Sequence, residues 1–342
     1  MNRRTLVLFC VITSLMIAAF FLDIILGAVR IPVSEIFSII FNKHSSVPEW
    51  AVIINDYRIP KAWVALFAGM ALSVSGLQMQ TVFRNPLAGP YVLGITSGAS
   101  LGVAILVLGF SFYYKTEYIS FVGNMSIALA AWSGALLVLM MVLAVSTKVR
   151  DIMTLLILGM LFTGAASAVV SILQYFSNES MLKSFVVWTM GSLSGLSAKD
   201  LFIFIPSISV GLVISVIASK RMNILLLGEN YARSMGLNIR ATRWMIFVST
   251  CILAGTVTAF CGPIGFVGVA VPHIARMLFR TSNHWILNFS CMILGAILLL
   301  VSDMISQVPG TSIRLPIDAV TALLGIPVII WIILRNFRFG SV

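Results

Sequence analysis

Residues 62–82 read AWVALFAGMALSVSGLQMQTV and contain no charged side chain. Because a bilayer core about 30 Å thick is crossed by roughly 20 apolar helical residues, this stretch predicts a transmembrane helix. Nine further apolar stretches follow the same rule. The ten predicted spans cover residues 5–28, 62–82, 92–110, 119–146, 152–176, 201–219, 244–261, 264–279, 285–306 and 318–334.

The composition agrees with these spans, since 60% of the 342 residues are hydrophobic and 10% are charged. Transmembrane β-barrels show instead an alternation of polar and apolar residues in segments of about ten residues. The predicted fold class is therefore all-α: a polytopic membrane protein with about ten transmembrane helices in a single domain, residues 1–342.

The basic residues predict the topology, since Lys and Arg accumulate in cytoplasmic loops. An even number of spans puts both termini on one side, and we place them in the cytoplasm. Of the 22 basic residues, 14 then lie inside: Arg3, Arg4, Arg84, Lys148, Arg150, Lys220, Arg221, Arg233, Arg240, Arg243, Arg276, Arg280, Arg335 and Arg338. The net charge of +11 is thus explained by topology, and no basic run in a soluble segment indicates nucleic-acid binding.

Gly-Pro pairs indicate an internal duplication. Gly89-Pro90 follows the second span and Gly262-Pro263 follows the seventh, about half the chain apart. The first pair falls inside and the second outside, as an inverted repeat of two five-helix halves requires. The alternative is coincidence, because Gly-Pro pairs are common at the ends of spans.

Small residues form a stripe on the second span, at Ala68, Gly69, Ser73 and Gly76. Such residues let membrane helices approach closely, so the stripe predicts a tightly packed bundle.

The stretch between the second and third spans is irregular. Pro86 and Pro90 interrupt a helix, and Asn85 can bond the backbone groups left free. Because irregular backbone at membrane depth must face protein or a water-filled cavity, this break predicts a wall of a translocation path. The predicted path residues are Gln78, Gln80, Asn85, Pro86, Pro90 and Gly94.

Two common motifs for bond chemistry are missing from the sequence. No lysine follows a glycine, which excludes a P-loop, and no His-Glu-x-x-His zinc motif occurs. The four cysteines and three histidines lack metal-ligand spacing, so no metal site is predicted. Asp23, near the outer end of the first span, is expected to be solvated at the interface, with a functional intramembrane charge as the alternative.

Residues 225–237, LLLGENYARSMGL, form a short polar insert between the sixth and seventh spans. Gly228 and Gly236 bracket about two turns and suit helix termini. Glu229 lies in the first turn, where the helix dipole favours an acid, and Arg233 follows at the favourable i+4 spacing. The insert therefore predicts a short helix held by packing, with a solvated connector as the alternative.

Four blocks of residues occur in order along the chain. They are Arg58-Ile-Pro60-Lys61 continuing to Arg84-Asn85-Pro86-Leu87-Ala88-x-Pro90; Leu226-Leu227-Gly228-Glu229-x-x-Ala232-x-x-x-Gly236; Gly262-Pro263-Ile264-x-Phe266-Val267-Gly268; and Leu315-Pro316 through Thr321-Ala322-Leu323-x-Gly325-x-Pro327. Together they resemble the FecCD-type permease family, the membrane subunits of ABC importers for iron-siderophore, haem and cobalamin-like chelates.

The resemblance implies a permease dimer, most simply a homodimer, around one path in the bacterial inner membrane. It implies an extracytoplasmic binding protein and two cytoplasmic ATPase subunits, which would hold the ATP and Mg, so that no cofactor belongs to this chain. It also implies that the segment 220–243 contacts the ATPase. The predicted coupling residues are Leu226, Leu227, Gly228, Glu229, Ala232, Arg233 and Gly236.

The resemblance further implies that basic residues outside meet acidic residues of the binding protein. Arg58 and Lys61 occupy the family's Arg-x-Pro-basic motif. Near the last span, Gln307 stands where the family has Arg, and Arg314 where Glu precedes Leu-Pro. Arg314 is therefore predicted either to supply the third docking charge or to pair internally with Asp318.

The predicted function is the permease subunit of an ATP-driven importer for an iron chelate, a ferric siderophore first, working by alternating access. The chain itself is then a transport subunit and not an enzyme. Haem and cobalamin (vitamin B12) are the alternative cargoes. An ion-coupled secondary transporter is the alternative class, but it normally needs intramembrane carboxylates, whereas the acids here cluster at loops. An intramembrane enzyme would need a nucleophile and base within the spans.

Overall fold

The computed structural model describes residues 2–42, 46–109, 124–148, 152–307 and 314–339, and the regular elements in these ranges are helical. The α-helices in chain order are α1 Arg3–Ile25, α2 Val33–Phe37, α3 Pro48–Val52, α4 Ile59–Phe83, α5 Ile95–Ala104, α6 Asn124–Lys148, α7 Ile152–Phe176, α8 Glu179–Thr189, α9 Ala198–Leu226, α10 Glu229–Ser234, α11 Ile239–Cys261, α12 Val267–Phe279, α13 His284–Ser306 and α14 Ile317–Phe339. Shorter π-helical segments follow α2, α3 and α5, and a 3₁₀ turn, Pro90–Leu93, precedes α5.

These helices confirm the all-α fold class and the predicted spans. Within the described ranges, 7 helical segments are long and apolar enough to cross a membrane, and three shorter apolar helices, Ile95–Gly109, Val267–Phe279 and Ile317–Trp331, bring the total to 7 + 3 = 10. Each corresponds to one predicted span, although residue 110 of the third span and residues 119–123 of the fourth lie outside the described residues. The second segment begins at Pro48 rather than at 62, because Arg58 and Lys61 lie within a continuous helix instead of ending it.

Helix α4 lies at the centre of the bundle and packs against α9, α11, α12 and α13. Two of these contacts depend on glycine pairs. A Cβ on Gly69 would overlap the backbone of Gly295 in α13, and a Cβ on Gly76 would overlap the backbone of Gly268 in α12. The small-residue stripe is therefore confirmed as a packing surface.

The contacts between helices form two equivalent sets, in which helices of the first half of the chain exchange places with helices of the second half. Helix α4 packs on α13 as α11 packs on α6, and α5 packs on α6 and α7 as α12 packs on α13 and α14. Between the halves, the Gln78 amide of α4 donates to Ser249 Oγ (2.9 Å) and accepts from Thr250 Oγ1 (2.8 Å) in α11. This pattern agrees with an inverted repeat of five-helix halves.

Two buried side-chain pairs mark opposite ends of α4 and α13. At one end, Lys61 Nζ lies 2.6 Å from Asp303 Oδ2; at the other, Thr81 Oγ1 lies 2.8 Å from His284 Nε2. The helix between Lys61 and Thr81 rises about 30 Å, the thickness of a bilayer core. We refer to these as the Lys61 end and the Thr81 end of the bundle.

Candidate functional site

The segment 225–237 lies at the Thr81 end and contains the capped helix α10 (Glu229–Ser234). Gly228, with φ of 111°, precedes the helix, and Gly236, with φ of 81°, follows it. The N–H groups of Gly236 and Leu237 bond to carbonyls three and five residues earlier, as in a Schellman motif. The predicted short helix between two glycines is confirmed, and a solvated connector is excluded.

Helix α10 is anchored to the bundle by one small residue and one ion pair. Ala232 is fully buried, and Glu229 Oε1 lies 2.5 Å from Nη2 of Arg243, a buried residue of α11. Arg233, the partner expected from sequence, lies farther away, at 4.0 Å, and is mostly exposed. Arg84, just after α4, donates to a carbonyl in the last turn of α9 (3.2 Å). Ala232 and Glu229 therefore hold the helix in place against α11, and the last turn of α9, which leads into α10, is bonded to the residue just after α4.

Apolar side chains around α10 remain exposed. The exposed fractions are 46% for Leu226, 60% for Leu227, 72% for Tyr231 and 60% for Met235. Such a cluster beside polar residues is typical of a protein contact surface. Sequence reasoning identified the two leucines but missed Tyr231 and Met235, although their spacing of four residues places them on one helix face.

The loop after α4 also lies at the Thr81 end. Asn85 Oδ1 accepts a hydrogen bond from the Leu87 N–H (2.9 Å), which confirms that its side chain satisfies freed backbone. The Pro86 carbonyl lies 2.8 Å from His273 Nε2 on α12. Asn85 is half-buried and Pro86 is exposed, so both are accessible from the Thr81 end.

The other four predicted path residues are buried in protein. Gln78 joins α4 to α11, and Gln80 Nε2 donates to a backbone carbonyl of α12 (3.2 Å). Pro90 packs beside a glycine of α12, and Gly94, with φ of 75°, joins the 3₁₀ turn to α5. Their burial contradicts the prediction that these residues line a path, because their polar groups and surfaces are used to join helices.

Arg58 and Lys61 are also buried, with exposed fractions of 5% and 6%. The Arg58 guanidinium donates to three backbone carbonyls at and after the end of α1. Lys61 is paired with Asp303. In this conformation neither cation is accessible to a binding protein, so the prediction that both form docking ion pairs is contradicted by their burial.

Asp23 belongs to the same cluster, and the expectation that water solvates it is wrong. Its exposed fraction is 1%, because α4 and α13 pack over the end of α1. The Gln307 amide donates to Asp303 Oδ2 (2.9 Å) and to Asp23 Oδ1 (3.4 Å), while Asp23 Oδ2 has no partner among the described residues. With Arg58 and Lys61, the cluster holds two carboxylates and two cations. A neutral glutamine at 307 preserves this balance.

Arg314 is exposed, and none of the ion pairs among the described residues includes it. The alternative pairing with Asp318 is wrong, since Asp318 Oδ1 accepts from the Gly265 N–H (2.7 Å) just before α12. Of the three predicted docking residues, Arg314 alone is accessible.

Both ends of the bundle fall within one family match. The model of the FecCD transport family matches residues 15–335, which include the central helix, α10 and the buried cluster. The chain belongs to the FecCD transport family.

Relatives and a solved structure agree with this membership. The chain is 32% identical over 311 residues to the hemin transport system permease protein of Yersinia pestis, covering 88% of both chains. It is 34% identical over 288 residues to the vitamin B12 import system permease protein of Citrobacter koseri, covering 84% of both. An inward-facing structure assigned to a metal-chelate type ABC transporter superposes with a TM-score of 0.82 at 28% identity, covering 95% of this chain and 97% of that one. The chain is thus an ABC transporter permease, and the resemblance seen in its motifs is confirmed.

Proposed function

We propose that this chain is the permease subunit of an ATP-driven importer for a metal chelate. A ferric siderophore is the first candidate cargo, and haem and cobalamin are the alternatives. The observation that carries the proposal is α10: a short helix with exposed apolar side chains, anchored by an ion pair to the core helix α11. The relatives named for hemin and vitamin B12 support the cargo class.

In this proposal the exposed side chains around α10 contact a cytoplasmic ATPase subunit, which binds the ATP and Mg. When the ATPase dimer closes, α10 moves. The Glu229–Arg243 ion pair transmits that movement to α11, and the last turn of α9, which Arg84 bonds, transmits it to the end of α4. Because packed helices shift as rigid elements, the movement alternates access between the two sides.

The cargo would cross between two copies of the permease, in a bacterial inner membrane with both termini in the cytoplasm. Asn85 and Pro86 remain candidates for the path at its inner mouth, since both are accessible there. On the outer side, Arg314 is the docking residue for an acidic site on the binding protein. The buried cluster around Lys61 would stabilise the helix ends that lie under that surface.

An ion-coupled secondary transporter is the second candidate, and one observation favours it. Asp23 and Asp303 are buried carboxylates, and intramembrane carboxylates are typical of ion coupling. Against it, both lie at the Lys61 end rather than midway along the helices, and two buried cations offset their charge. This cluster is therefore better explained as a structural anchor.

The test is uptake by proteoliposomes that contain the chain with its ATPase and binding protein. Radiolabelled ferric siderophore, haem and cobalamin are compared, with ATP, without ATP, and with an imposed ion gradient alone. Glu229→Arg should abolish most ATP-driven uptake, because it replaces the ion pair between α10 and α11 with two neighbouring cations, the new arginine and Arg243. The exchange Glu229→Arg with Arg243→Glu should restore part of it. Glu179→Arg, at the exposed first residue of α8, is the matched control and should leave uptake unchanged.

The proposal would be supported, and the cargo identified, if uptake of one cargo required ATP, fell in Glu229→Arg, recovered in part in the charge exchange and stayed unchanged in Glu179→Arg. Uptake driven by an ion gradient without ATP would support the secondary transporter. Equal uptake by Glu229→Arg and Glu179→Arg would refute the role of α10.

A further inference from the structure

A long apolar groove lies on the side of the bundle, between α6 and α9. It has a volume of about 960 Å³, and its lining includes Trp132, Leu139, Val210, Val248 and Trp244. Ligand pockets in proteins range from roughly 300 to 1,000 Å³, so the groove is large enough for a ligand. None of the predicted coupling, docking or path residues lines it.

The groove exists because α6 and α9 each pack along α11 rather than along each other. Helix α11 forms the floor, with Val248, Cys251, Ile252 and Thr256, and the other two helices form the walls. All three are membrane spans, so the groove opens toward lipid.

The length of the groove matches one leaflet. It extends from Ala144 to Trp132 on α6 and from Trp244 to Thr256 on α11, twelve residues on each helix. Twelve helical residues rise about 18 Å, whereas half of a bilayer core is about 15 Å. Because α11 begins beside α10, the Trp244 end of the groove lies at the Thr81 end of the bundle. One acyl chain from that leaflet would fill it.

Basic side chains lie at this mouth of the groove. Arg221 of α9 is exposed and reaches across to α11, where its Nη1 lies 3.6 Å from Met245 Sδ. Arg240 is exposed one helical turn before Trp244, on the same face of α11. Glu229 is the one carboxylate of this end among the described residues, and Arg243 neutralises it. The mouth is therefore positively charged.

We propose that the groove binds one anionic glycerophospholipid, with an acyl chain between α6 and α9 and the phosphate between Arg221 and Arg240. Trp244, at the mouth, would lie at headgroup depth, where tryptophan is enriched. The site goes beyond the transport function and does not depend on which cargo is carried. It would, however, join the two helices that flank α10.

The test is native mass spectrometry of the purified protein in detergent, titrated with phosphatidylglycerol or phosphatidylcholine of equal chain length. The parent should retain one phosphatidylglycerol in preference to phosphatidylcholine. Each basic residue near an anionic headgroup contributes roughly a five-fold preference, so Arg221→Gln with Arg240→Gln should lower the preference about thirty-fold. Arg3→Gln with Arg4→Gln, on α1 away from the groove, is the matched control and should keep it.

A second pair of variants tests the acyl chain. Val210→Trp or Met140→Trp fills the groove from an exposed position on one wall, and each should lower retention of both lipids. Val213→Trp, exposed on α9 outside the groove, should not. Monodisperse elution checks that each variant is folded.

Equal retention of the two lipids by the parent, or a preference unchanged in the double Arg variant, would overturn the headgroup site. Lipid retention unchanged by both groove-filling variants would overturn the groove. If the groove-filling variants instead dissociated a permease dimer, the groove would be a contact surface for a second copy of the chain and not a lipid site.

Discussion

Replacing Lys61 by Met should destabilise the protein strongly, because the Lys61–Asp303 pair is almost completely buried from solvent. The two side chains are 7% and 5% exposed, and their charged atoms lie 2.6 Å apart. The remaining cation of the cluster, Arg58, is occupied by backbone carbonyls. Lys61→Met would leave two buried carboxylates with one cation, and breaking one partner of a buried pair typically costs about 3–5 kcal/mol.

The double variant Lys61→Met with Asp303→Leu should recover most of this loss, because it removes both buried charges and replaces them with apolar volume. The measurement is the free energy of unfolding in mixed detergent–lipid micelles, for the parent, both single variants and the double variant. Because each single variant breaks the pair, the cycle should give an interaction energy of at least about 3 kcal/mol. Lys199→Met, on an exposed residue of α9, is the matched control and should change stability by less than about 0.5 kcal/mol.

One result would refute this reasoning. If Lys61→Met were as stable as Lys199→Met but bound the purified binding protein more weakly, Lys61 would serve docking, as the sequence motif suggested. The conformation described here would then differ from the docked one at the Lys61 end.

Three further outcomes are expected. Gly76→Ala should cost about 3 kcal/mol of unfolding free energy, because its Cβ would overlap the Gly268 carbonyl and separate α4 from α12, whereas Gly164→Ala, with open space around it, should cost little. Asn288→Leu should cost about 1 kcal/mol, since its amide bonds two serines of α9 and such contacts between membrane helices contribute modestly; the same unfolding titration would measure it. Tyr231→Asp should leave stability unchanged, because the side chain is 72% exposed, but should weaken binding of the ATPase about thirty-fold in a pull-down titration.

The sequence was sufficient wherever the signal is local. Apolar stretches long enough to cross a bilayer predicted each span, since the cost of burying backbone and charge in lipid acts on each segment separately. The glycines around α10 and the side chain of Asn85 were also predicted correctly, because helix caps and turns are formed by residues close together in the chain.

Only the tertiary structure decided where the charged and polar side chains point. Lys61 looked like a surface cation from its motif, but it lies against Asp303, which comes from a helix near the other end of the chain. Gln78 and Gln80 looked like path residues because they lie beside the irregular stretch that follows the second span, yet their amides join α4 to α11 and α12. Hydropathy and spacing report how a helix meets the membrane. They do not report which neighbour a given face meets, and for these residues of α4 that neighbour comes from the other half of the chain.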